Sequence, residues 1–299
     1  MIDFRTLETF WWVVTLGSFN GAAAKLGTTQ PAVSQRIALL EQDFGVQLIV
    51  RDRRSVMPTA SGRKLMAYAE RTMTMKTEML TSISNPKAIE GVLRLGVTET
   101  IVHAWLPDLI RRVSNVYPNL SLEIQSDITF TMRTKLLNQE LDLAFVMGPL
   151  NDSMLENRFL CDYPVAFIAS PRLKVPKPAT ISDLALFRIM TFPRKTQPFE
   201  TLRAIFNETN LPPVRIHSSN ALMTLVPLAL EGLGVIVVPP IIVEKQLRSG
   251  ELEIIPTIDA KIPDVSFTAT WMNSPDSLAS ELVGDLAVEL ARQSSKKGK

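Results

Sequence analysis

The stretch from Ser18 to Gly45, SFNGAAAKLGTTQPAVSQRIALLEQDFG, constrains this chain more than any other. It reads as two short helices with a tight turn between them. In the first, Ala22, Ala23 and Leu26 share one side, and the alanines let another helix approach closely. Gly27 and Thr28 interrupt the run, and Thr29 is placed as an N-cap whose hydroxyl takes a free backbone N–H. Pro31 falls in the first turn of the second helix, where a missing N–H costs nothing. Val33, Ile37, Leu40 and Phe44 recur at helical spacing and predict that helix's buried face. Gln30, Pro31, Ser34, Gln35 and Ala38 lie elsewhere, an uncharged face of short hydrogen-bonding and apolar side chains.

Such a face suits base edges in a major groove. Gln engages adenine, Ser reaches several bases, and Pro or Ala carbons meet a thymine methyl. A hydrophobic hook, Val46 to Val50, comes next, and Arg51, Arg53 and Arg54 behind it are expected to meet phosphates or a minor groove. An alanine-rich helical hairpin with a solvated face is the bland alternative; the arginine hook favours recognition. Phe4 to Val14 predicts a leading helix with Phe4, Leu7, Phe10, Trp11 and Val14 on one side, completing a winged helix-turn-helix. Adjacent Trp11 and Trp12 are read as core or dimer contacts in preference to a stacking platform for single strands.

Pro58–Thr59 starts a long helix reaching about Ser84, before Asn85–Pro86. Met66, Ala69, Met73, Lys76, Leu80 and Ile83 alternate by threes and fours, a coiled-coil seam with one polar intruder. A lone helix cannot bury such a stripe, so the expected partner is the same helix of a second subunit. Two reader helices then match an inverted repeat in double-stranded DNA.

From Gly91 short apolar runs alternate with helices. Strands are predicted at 92–97, 120–125 and 141–146, with a helix over 105–116 between the first two. A second set covers 165–169, 188–191, 214–217 and 235–238; a strand over 265–271 and a final helix over 278–292 return to the first. The rhythm is that of a parallel α/β sheet built twice, with a cleft at the strand ends. Three polar strand ends converge there: Thr98–Glu99–Thr100, Asp127–Ile128–Thr129 and Ser218–Ser219–Asn220. Thr98, Glu99, Thr100, Ile128, Thr129, Ser218 and Asn220 are therefore the candidate effector contacts, with Met147, Phe192 and Met223 as apolar walls. Helix capping without a ligand is the alternative for each.

The first eighty or so positions resemble the LysR-type transcriptional regulators. "FRTLETF", "GSFNGAAAKLGTTQPAVSQRIALLEQDFGVQLIVRD" and "PTASG" come in that family's order and spacing. Gln35–Arg36 stands where the family often has Arg–Gln. The resemblance implies DNA contacts at Thr29, Gln30, Pro31, Ser34, Gln35 and Arg36. It implies an α + α/β chain: a winged helix-turn-helix over 1–58, a linker and dimerisation helix over 59–89, and an effector-binding domain over 90–299. That last part is of periplasmic-binding-protein type, with lobe I at about 90–162 and 265–299 and lobe II at about 163–264. "GVLRLGVTET", "YPNLSLEI", "LDLAFV" and "EGLGVIVVPP" stand where the family has its strand and hinge signatures. The resemblance also implies a homotetramer built as a dimer of dimers, and small organic acids as effectors. Glu99 would repel an anion unless it points outward or pairs with Arg133 or His103, so neutral, amine-bearing and hydroxylated effectors stay open.

Charge agrees with this division. Residues 1–89 hold 11 Lys and Arg against 7 Asp and Glu, whereas residues 90–299 hold 21 against 23. Cys161 is the only cysteine, so an internal disulfide is excluded. Asp3, Arg5 and Glu8 interrupt any apolar leader, and the run Val235–Val243 is too short to span a bilayer, so a cytoplasmic protein is expected. A solute-binding module or an enzyme using the cleft are the competing classes. His103 and His217 are the only histidines, and GxSxG, phosphate-loop and dinucleotide glycine motifs are absent, so no catalytic group, metal or cofactor is expected.

Overall fold

Asp3 opens the first helix: its carboxylate accepts the Thr6 N–H at 2.7 Å and caps α1 (Phe4–Leu16). Ser18 caps α2 (Phe19–Lys25) in the same way, its Oγ accepting the Gly21 N–H at 3.1 Å. α3 (Gln30–Phe44) follows and stops at Gly45, whose φ of +66° is the left-handed conformation that glycine adopts freely. Two short strands, β1 (Ile49–Arg51) and β2 (Val56–Pro58), pair antiparallel as a wing, and the long α4 (Ala60–Ile83) leaves it. This computed structural model describes residues 2–51, 56–83, 89–207, 214–274 and 277–297. It divides into two compact units, residues 1–85 with 274–278, and residues 86–273 with 279–299.

The first unit's core joins Phe10, Trp12 and Val13 of α1 to Val33, Ile37 and Leu40 of α3 and to Leu48 and Ile49 at the wing. Trp11 and Trp12 meet edge to face at 4.7 Å, and Lys25 Nζ sits 4.7 Å from the centre of the Trp12 ring. Three expectations need correction. Phe4 and Phe44 are exposed (45% and 42%), because each stands in a terminal turn of its helix; Trp12 and Val13 are buried instead, since α1 packs against α2, α3 and α4 together. Thr29 occupies the N-cap position of α3, but its hydroxyl makes no capping bond. On α4 the anticipated seam is partly spent inside the chain, with Ala69 and Met73 buried; Tyr68, Met75 and Met79 form the exposed apolar stripe.

The second unit has two lobes. In lobe I, β3 (Glu90–Val97), α5 (Glu99–Ala104), α6 (Leu106–Val116), β4 (Asn119–Ser126), α7 (Thr129–Leu137), β5 (Leu143–Met147) and β6 (Leu155–Tyr163) follow in turn. Lobe II holds β7 (Ala166–Ala169), α8 (Ile181–Ala185), β8 (Ile189–Thr191), α9 (Gln197–Asn207), β9 (Ile216–Ser218), α10 (Leu225–Leu230), β10 (Val235–Val238), α11 (Glu244–Ser249) and β11 (Glu253–Ile255). The chain then returns through β12 (Val265–Met272) and α12 (Leu278–Lys297). The sheets run β4-β3-β5-β12-β6 and β11-β7-β10-β8-β9.

Neither sheet is purely parallel. β12 lies antiparallel to both β5 and β6, and β7 antiparallel to β10 and β11. These strands sit beside the two crossings between lobes, where the chain enters a sheet from its far end. The helix expected over 105–116 is α6, and a short further helix, α5, precedes it across a break at Trp105. Trp105 is buried in lobe I against Phe145, 5.5 Å between ring centres, in a core that includes Leu95, Phe267, Trp271 and Ala287. In lobe II, Leu184, Leu202 and Phe206 cover one sheet face, and Leu225, Val226 and Ala229 the other. Among the described residues no helix is long and apolar enough to cross a membrane.

At the base of the wing a Cβ on Gly62 would stand 2.1 Å from the Leu48 carbonyl oxygen, inside any permitted contact. Gly62→Ala is expected to remove about 1–3 kcal/mol of stability by overpacking. Denaturant unfolding measures the loss, and hydrogen exchange locates it in α1–α4; an unchanged midpoint would contradict the packing described.

Candidate nucleic-acid interface and effector cleft

Rotation of α3 about its axis is fixed by Val33, Ile37 and Leu40, all buried. At 100° per residue, that leaves Thr29, Gln30, Pro31, Gln35 and Ala38 exposed and Ser34 half-buried on the rest of the surface. Gln30 Nε2 donates to Ser34 Oγ at 2.8 Å across one turn, which orients both polar groups. Arg36 is half-buried, and its Nη1 donates to Thr9 Oγ1 of α1 at 3.3 Å. It is therefore tied partly to the scaffold.

The wing is fastened to α3 by a carboxylate. Glu41 Oε1 accepts the backbone N–H groups of Leu48 at 2.8 Å and Ile49 at 3.1 Å, satisfying the start of β1. Thr59 closes the other side, its N–H donating to the Leu48 carbonyl at 2.9 Å and its Oγ1 to the Gln47 carbonyl at 2.8 Å. Arg51 ends β1; its side chain, and Arg53 and Arg54 entirely, lie outside the described residues.

Within the second unit a cleft is lined by Thr98, Glu99, Thr100, Asp127, Ile128, Thr129, Met147, Phe192, Pro193, Thr196, Asn220, Leu222 and Phe267. Eight of the ten anticipated effector positions stand on it. Ser218 does not, being exposed at the end of β9; Met223 does not either, because its side chain packs into the lobe II core beside Leu222 and Leu225. Pro193, Thr196, Leu222 and Phe267 line the cleft without having been anticipated. Phe267 lies on the returning strand, where only the observed register shows which alternate side chains face inward.

Glu99 follows neither anticipated pairing. Its Oε2 accepts the N–H of Met223 at 3.3 Å and that of Leu222, joining lobe I to the short 3₁₀ turn Leu222–Thr224 of lobe II. Arg133 pairs instead with Asp152 at 2.7 Å. Thr98 is buried, and its Oγ1 has no hydrogen-bond partner among the described residues. Thr129 Oγ1 accepts the Met147 N–H at 3.2 Å and so braces the wall where β5 ends.

A winged reader and a two-lobed unit with a polar-mouthed cleft define a DNA-binding regulator with a ligand-sensing half. Residues 4–63 match the model of the bacterial regulatory helix-turn-helix of the LysR family, and residues 87–292 match the LysR substrate binding domain. The chain belongs to the LysR family of transcriptional regulators, which are regulators and not enzymes. Its relatives include the HTH-type transcriptional regulator BbuR of Bordetella bronchiseptica, 28% identical over 273 residues (90% of this chain, 82% of the relative). Another is the HTH-type transcriptional regulator GltR of Bacillus subtilis, 26% identical over 251 residues, 84% of each chain. The fold is similar to that of a full-length OxyR variant from Pseudomonas aeruginosa (TM-score 0.62, 20% identity, 98% of this chain and 95% of that one). ArgP from Mycobacterium tuberculosis is comparable, with a TM-score of 0.63, 20% identity, and 97% and 98% covered.

Among the described residues no group of three or more His, Cys, Asp or Glu could hold a metal ion, and His103 and His217 are exposed and on different lobes. Cys161 is buried in β6, and burial pushes its thiol up to about 11. The thiolate that reacts is therefore scarce near neutral pH. Native protein at pH 8 is expected to label with a thiol reagent at least tenfold more slowly than denatured protein; equal rates would contradict this environment.

Proposed function

We propose that α3 enters the major groove of an inverted-repeat operator, with Gln30, Pro31, Ser34 and Gln35 at base edges. Thr29 and Arg36 stand at the edge of this contact, and Arg51, Arg53 and Arg54 bind phosphates or an adjacent minor groove. The observation that carries the reading is the division of α3, with Val33, Ile37 and Leu40 buried and Gln30, Pro31 and Gln35 exposed. Residues 1–58 act as reader, 59–89 as linker and 90–299 as sensor, in a cytoplasmic protein. α4 pairs two subunits through the face bearing Tyr68, Met75 and Met79, all exposed and at coiled-coil spacing. Two such dimers make a homotetramer.

The sensor's effector occupies the cleft between lobes, touching Thr98, Glu99, Thr100, Ile128, Thr129 and Asn220 against Met147 and Phe192. Ser218 and Met223 lie outside this shell. Binding changes the relative populations of lobe arrangements, and so how the readers sit on DNA.

Gel-shift titrations at several salt concentrations test the contacts. Ser34→Ala and Gln35→Ala are each expected to cost about 1–3 kcal/mol on the preferred site and to relax base preference. Arg53→Ala should weaken binding evenly across sequences and lower the salt slope by about 1. Wild-type affinity in all three variants would refute the proposed interface.

A further inference from the structure

The electrostatics of the cleft narrow the chemistry of its ligand. Glu99 and Asp127 both line it, and among the described residues no Lys, Arg or His does. The helix starts beside the cleft, α5 and α7, each carry one of these carboxylates next to them. Glu99 stands in the first turn of α5 and also takes the N–H groups of Leu222 and Met223. Asp127 precedes α7, and its Oδ1 accepts the Ile128 N–H at 2.8 Å.

Nearby cations are engaged or turned outward. Lys135 Nζ donates to Gln125 Oε1 at 2.8 Å and stands 3.8 Å from Asp127 Oδ2, and Arg133 pairs with Asp152. Arg194 lies over the Phe199 ring at 5.6 Å, and Arg194 and Lys195 are both exposed. One buried polar atom of the lining stands unused: Thr98 Oγ1, on a residue only 6% exposed, has no partner among the described residues. Ile128, Met147, Phe192, Leu222 and Phe267 form the apolar part of the wall.

We infer that the cleft takes a small ligand with an ammonium head, held by Thr98 Oγ1 and the Glu99 and Asp127 carboxylates, and a compact apolar body. This deepens, and rests on, the reading of the cleft as the effector site. A carboxylate head would enter beside two fixed negative charges with no free donor of opposite charge. An ammonium offers three donors to acceptors already in place.

The test uses the full chain and three probes that share one carbon body: isopentylamine, isopentanol and isovalerate. Thermal unfolding and calorimetry should show saturable stabilisation by the amine, with the alcohol and the carboxylate at least tenfold weaker. Glu99→Gln keeps an acceptor for the Leu222 and Met223 N–H groups yet removes the charge, and should weaken amine binding at least tenfold. Thr98→Val should weaken it several-fold. Equal or tighter binding of isovalerate, or no amine binding, would overturn the inference. Amine binding weakened by Thr98→Val but not by Glu99→Gln overturns the charge assignment alone and leaves the cleft as the site. Indifference to both substitutions removes the cleft reading as well.

Discussion

Burial of one stripe on α3 is the constraint from which the reader's geometry follows. Val33, Ile37 and Leu40 pack against α1, and a helix held on one side cannot turn. The polar positions are thereby presented together, and the Gln30–Ser34 hydrogen bond sets their mutual direction. Glu41 carries this order into the wing by holding the Leu48 and Ile49 N–H groups, and the absence of a side chain at Gly62 lets α4 start against the Leu48 carbonyl. Reader, wing and long helix thus share one rigid base. Loosening the Leu48 contact would disturb all three at once.

The sensor is organised by its two crossings. A chain that leaves lobe I after β6 and returns through β12 must insert a strand running against its neighbours, which is why each sheet is mixed. The same return brings Phe267 to the cleft floor, far in sequence from Thr98 and Ile128. Glu99 then spans the opening with a charged group on backbone donors, a contact that any change in lobe spacing has to break or remake. That makes this carboxylate both part of the wall and a link between the lobes.

Local patterns are legible in the sequence, and partner choice is not. The turn at Gly27 and the buried face of α3 follow from short-range sequence pattern. Phe44 fits that period yet is exposed, because periodicity does not show where a neighbouring helix ends. On α4 two adjacent stripes satisfy a heptad, and tertiary packing decides which lies inside. Strand direction leaves no mark on alternation, so the parallel rhythm expected of both sheets misses the reversed β12 and β7, and it gives no sign of β11. At the cleft, polar residues at strand ends are visible, whereas Glu99's reach to Leu222 and Met223 joins positions more than a hundred residues apart.

The central claim is that α3 turns its polar side to DNA bases. Gln35→Cys, with Glu123→Cys on exposed β4 as control, tests it directly by alkylation with and without a duplex that the protein retards. The account predicts protection of position 35 by at least tenfold on adding the duplex and no change at 123. Alkylation of position 35 at the same rate in the bound protein would show that this face of α3 is not where the DNA lies.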